Sequence, residues 1–87
     1  MGAQDMERLT IDGHNVQFEH WMKEWAIDYI RGLDAAERAQ LFQGAQRNGI
    51  NGATFRVSHG GPHKDFTLWV HNGEYEIKMK KEKSGWW

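Results

Sequence analysis

Residues 66–79 read Phe66-Thr67-Leu68-Trp69-Val70-His71-Asn72-Gly73-Glu74-Tyr75-Glu76-Ile77-Lys78-Met79, two alternating runs joined by Asn-Gly. A two-residue turn of this kind needs positive φ at both central positions, which Asn and Gly tolerate, so the stretch predicts a β-hairpin with a defined register. His71 faces Glu74, and the pairs count outward from there: Val70 with Tyr75, Leu68 with Ile77, Phe66 with Met79. One face of the ribbon is apolar along its length. The other sets Trp69 beside Glu76, Thr67 beside Lys78 and Asp65 beside Lys80, an arrangement that suits a half-buried antiparallel sheet. A tryptophan on the polar side of such a sheet is a candidate contact residue.

Upstream, Ala53-Thr54-Phe55-Arg56-Val57-Ser58 alternates in the same way and predicts a third strand. With His59-Gly60-Gly61-Pro62-His63-Lys64 taken as the connecting loop of a meander, Phe55 is expected near Leu68 and Arg56 near Thr67. Thr54, Arg56, Thr67, Trp69, Glu76 and Lys78 then form one patch on the open face, with His59, His63 and Lys64 in the neighbouring loop.

Two helices are expected before this meander. From Asn15 or Val16 to about Gly32, Phe18, Trp21, Met22, Trp25, Ala26, Tyr29, Ile30 and Leu33 recur at three- and four-residue spacing, with Glu19 and Lys23 as a flanking i,i+4 pair. Trp21, Trp25 and Tyr29 are read as core. Asp34-Ala35-Ala36-Glu37 matches a capping box and opens a second helix that buries Leu41, Phe42 and Ala45. Asn48-Gly49-Ile50 then resembles a Schellman stop. Arg8-Leu9-Thr10-Ile11 before Asp12-Gly13 suggests a short N-terminal strand and a turn. The fold class is α+β in two layers, in the order β-α-α-β-β-β. An antiparallel meander packs on an aromatic amphipathic helix and leaves the opposite sheet face uncovered.

The chain has 87 residues, which suits a single domain spanning residues 1–87, with residues 1–5 and 82–87 expected to be flexible ends. Trp86 and Trp87 close a Lys-rich tail and require cover from the domain or a partner. Cysteine is absent, which excludes disulfides, thiolate metal sites and cysteine nucleophiles and fits a reducing, cytoplasmic setting. The sequence shows no signal peptide and no apolar stretch of membrane-spanning length. The net charge of −1 divides into −3 over residues 1–52 and +2 over residues 53–87, a weaker basic stripe than a duplex binder usually presents and a mild argument against nucleic acid.

No catalytic constellation emerges. Ser58 and His59 are adjacent but alternate in direction along a strand, and Asp12 near His14 is accounted for by turn and cap chemistry. His59 and His63 lie across a strand from His71, roughly 20 Å away, so the three cannot share an ion; no metal or cofactor is expected. Gly60 and Gly61 with His63 and Lys64 resemble an anion nest only as far as any glycine-rich turn does.

Two functions fit the patch. One is a non-enzymatic protein-binding module that docks a partner on the open face, or adds a strand at an exposed edge. Such a chain serves as an adaptor, accessory subunit or stoichiometric inhibitor, a type common among small proteins of mobile elements and operons. The other is a nucleic-acid binder that stacks a base on Trp69 and holds phosphates with Arg56, Lys64, Lys78 and Lys80. Glu74 and Glu76 share the face and repel phosphate, which favours a protein partner. The face is otherwise covered by the tail, by the N-terminal segment or by a second copy in a homodimer that buries Trp69.

Overall fold

The computed structural model describes residues 6–80. The expected flexible ends and the packing of Trp86 and Trp87 lie outside that range. Strands β1 (Met6–Ile11) and β2 (His14–Glu19) come first. A 3₁₀ turn at His20–Lys23 leads to helices α1 (Ala26–Gly32) and α2 (Ala35–Asn48). A second 3₁₀ turn at Gly49–Asn51 precedes β3 (Ala53–Ser58), β4 (His63–His71) and β5 (Glu74–Met79). The five strands form one sheet in the order β1-β2-β5-β4-β3. All neighbours are antiparallel except β2 and β5, which run parallel. The fold is therefore α+β in two layers, with the meander β3-β4-β5 as expected.

The N-terminal third corrects the expected helix. Val16 and Phe18 enter the core from a strand, paired with Leu9 and Glu7 of β1, and helical structure begins only after Glu19. Phe18 and Met22 are both buried, one from the strand and one from the 3₁₀ turn, so their spacing matches that of a helix without forming one. The flanking pair also dissolves: Lys23 lies 3.7 Å from Glu7, while Glu19 accepts a 2.6 Å hydrogen bond from the Trp21 indole.

Three turns set the registers. Asp12-Gly13 and Asn72-Gly73 both have positive φ at each residue and close two-residue hairpins, and so do Gly60 and Gly61. The His59 N–H donates to the Pro62 carbonyl across the Gly-Gly turn. The β3–β4 connection is thus two residues long rather than six, and the expected register moves by two positions: Phe55 pairs with Phe66, and Arg56 with Asp65. The β4–β5 pairing matches the expected register from His71–Glu74 to Phe66–Met79.

Helix α2 opens on the expected capping box, with the Asp34 carboxylate accepting from the Glu37 N–H and the Glu37 carboxylate accepting from the Asp34 N–H. Its end is different from the expected Schellman stop. Gly49 has φ 59° and ψ −123°, outside the left-handed helical well, and Ile50 is 87% exposed instead of folding back on the helix.

The helices cover one sheet face. Val16, Phe18, Phe55, Phe66, Leu68, Tyr75 and Ile77 meet Ile27 and Ile30 of α1 and Phe42 and Ala45 of α2 in one core. Tyr29 stacks on Phe55 at 5.3 Å, and Trp25 is half-buried against the core. Trp21 is not core: it is 42% exposed, with one side 6.1 Å from the Phe66 ring. Val70 and Leu41 are also only half-buried. Among the described residues no helix is long and apolar enough to cross a membrane.

Candidate functional site

The open face of the sheet carries the side chains that alternate away from the core. Trp69 stands at its centre, paired with Glu76 on β5. Two features hold its indole in place. The Lys78 ammonium lies 4.8 Å from the ring centroid, at cation–π distance. On the other flank is Gly52, whose φ of 67° suits glycine and whose missing Cβ leaves the indole its space. A methyl group there would sit 2.6 Å from Trp69 Nε1 and 2.7 Å from Thr67 Cγ2. Asn48 closes this arrangement by donating to the Gly52 carbonyl at 2.8 Å.

Around the indole the sequence-predicted residues divide. Thr54 pairs with Thr67, and Thr67 pairs in turn with Lys78, so Thr54, Thr67, Trp69, Glu76 and Lys78 form a continuous patch. Thr67 is only 6% exposed, leaving it a supporting residue. Arg56 does not sit beside Thr67. It is two rungs further along, held bidentately by Asp65 at 2.7 and 3.3 Å. That chelate pulls the Asp65 carboxyl below its ordinary pKa range and raises the Arg56 guanidinium, keeping both charged. The expected neighbourhood of Trp69 thus loses its free guanidinium.

The loop residues separate as well. His63 pairs with Ser58 at the end of β4. Lys64, paired with Val57, lies on the helix side of the sheet with its ammonium 5.1 Å from the Trp25 centroid. His59 joins it there, 4.8 Å from Trp25 and 3.8 Å from a Glu24 carboxylate oxygen. Lys64 therefore does not share a surface with Lys78 and Arg56. Among the described residues no group of three or more His, Asp or Glu side chains converges to hold a metal ion.

The charges near Trp69 are matched. Arg56 meets Asp65, Lys78 lies 4.0 Å from Glu76, and Arg8 lies 3.7 Å from Glu74. Beside the indole runs a groove of about 620 Å³, walled by Ile50, Trp69, Val70 and Tyr75 and edged by Gln17, His71 and Glu74. Sequence reasoning missed three contributors: Gly52, Ile50 and Gln17. Asn51-Gly52 ahead of a strand is a visible turn signal, but nothing local shows that its empty Cβ position faces an indole. Gln17 was hidden by the helical reading of β2.

No protein-family model matches the chain, and searches among curated proteins and solved structures return no match.

Proposed function

We propose that this chain is a small non-enzymatic protein-binding module that docks a partner on the open sheet face around Trp69. The observation that carries this reading is a pre-positioned indole, 36% exposed and held between Gly52 and Lys78, beside a groove with apolar walls and a polar edge. Interaction hot spots have this composition: an aromatic anchor whose rotamer is already set, so that binding costs little side-chain entropy. The module serves as an adaptor, an accessory subunit or a stoichiometric inhibitor. A chain without cysteine suits the reducing cytoplasm.

Charge supports a protein partner over nucleic acid. Arg8, Arg56 and Lys78 each have a carboxylate partner, so gripping phosphates requires breaking those pairs next to Glu74 and Glu76. Anisotropy titrations with labelled single-stranded and duplex oligonucleotides at low and physiological salt distinguish the two readings. The protein-docking reading predicts no saturable binding at physiological salt. Tight binding that weakens steeply with salt and disappears in Trp69→Ala or Arg56→Ala overturns it in favour of nucleic acid.

A further inference from the structure

The second exposed feature lies at the sheet edge formed by β3, which among the described residues pairs only with β4. Rungs of an antiparallel ladder alternate between exchanging backbone hydrogen bonds and leaving them directed outward. Because the His59 N–H bonds to Pro62 across the turn, Val57, Phe55 and Ala53 bond to β4, and the N–H and C=O groups of Thr54, Arg56 and Ser58 point away from the sheet. The strand has no proline. A row of unpaired backbone groups of this kind is a template for another strand.

Directly beside it is an open groove of about 340 Å³ between the helices and the edge, with Tyr29, Leu33, Leu41, Ala53 and Phe55 as apolar walls and Glu37, Gln40 and Thr54 as polar lining. A strand added along β3 directs alternate side chains toward the helix layer, where this groove lies. The opposite edge lacks that feature: the helix side of β1 carries the charged cluster of Glu7, His20 and Lys23.

We infer that the β3 edge binds an extended peptide segment of a partner protein by strand addition, with a large apolar side chain of that segment seated in the Tyr29–Leu41 groove. Main-chain bonds to Thr54 and Arg56 supply register and affinity; the groove supplies selectivity for the apolar residue. This site uses the β3 backbone and stands apart from the face around Trp69.

The probe is a displayed library of short random linear peptides selected on the full chain. Selected peptides are expected to alternate, with an apolar residue at a fixed position, and to shift the amide resonances of Thr54, Arg56 and Ser58 while leaving the Trp69 indole N–H unmoved. Thr54→Pro removes an outward N–H without touching the β4 ladder and is expected to weaken binding by about tenfold or more. An N-methyl group at the peptide position facing Thr54 has the same effect as Thr54→Pro and needs no change in the protein. A library that yields no binder, peptides indifferent to N-methylation, or shifts that gather on Trp69 overturn the assignment. So does self-association of the chain that Thr54→Pro abolishes, which gives the edge to a second copy.

Discussion

Gly52 and Trp69 show how one missing side chain organises a surface. The indole occupies the volume that a Cβ at residue 52 needs, and the φ of 67° disfavours any L side chain there. Gly52→Ala is expected to displace the indole and to destabilise the chain by about 2 kcal/mol or more, read as a lower urea midpoint. Two carboxylates carry the acid response. Glu7 is lowered chiefly by its hydrogen bond to His20, with Lys23 contributing, and Asp65 chiefly by its hydrogen bond to Arg56. Both folded-state values are depressed. Their stabilisation is therefore complete above the ordinary values of 4.5 for Glu7 and 3.8 for Asp65, and is lost as the pH falls through the lower folded-state values. Carboxyl resonances followed by NMR are expected to show Asp65 titrating late in the wild type and returning to the ordinary range in Arg56→Met. An unchanged Asp65 titration in that variant contradicts the chelate.

At the scale of elements, local signals decided some parts and tertiary context decided others. The Asp34–Glu37 capping box is a reciprocal local device, and Asp34→Ala is expected to cost about 1 kcal/mol in an equilibrium denaturation experiment. The Asn72-Gly73 hairpin was legible rung by rung because a two-residue turn leaves the register no freedom. Asp12-Gly13 carried the same signal, yet Phe18, Met22 and Ala26 also fit helical spacing, and six residues of strand are too few for their alternation to override it. The Gly60-Gly61 turn was obscured by Pro62 and His63, which resemble loop residues although His63 already belongs to β4. The Trp69 patch was legible in side-chain direction, because parity survives a two-residue shift, but not in neighbours: Arg56 moved to Asp65 and Lys64 to the other layer. Phe18→Ala empties a fully buried site between the sheet and the helices and is expected to cost about 3–5 kcal/mol in an equilibrium denaturation experiment.

At the scale of the molecule, two helices seal one face of a five-stranded sheet, and no other element among the described residues covers the opposite face. The sealed face holds the core. The open face gathers cations and carboxylates in pairs around one exposed indole, a surface suited to a partner of mixed polarity and poorly suited to a phosphate backbone. Docking there is expected to depend only weakly on ionic strength, since the face carries nearly balanced charge. The most direct test is quantitative affinity capture from a host lysate with the wild type and Trp69→Ala in parallel, once circular dichroism has shown both to be folded. The proteins enriched on the wild type are predicted to be lost from Trp69→Ala and to survive nuclease treatment; equal capture by both chains, or capture that nuclease abolishes, contradicts a protein-docking face at Trp69.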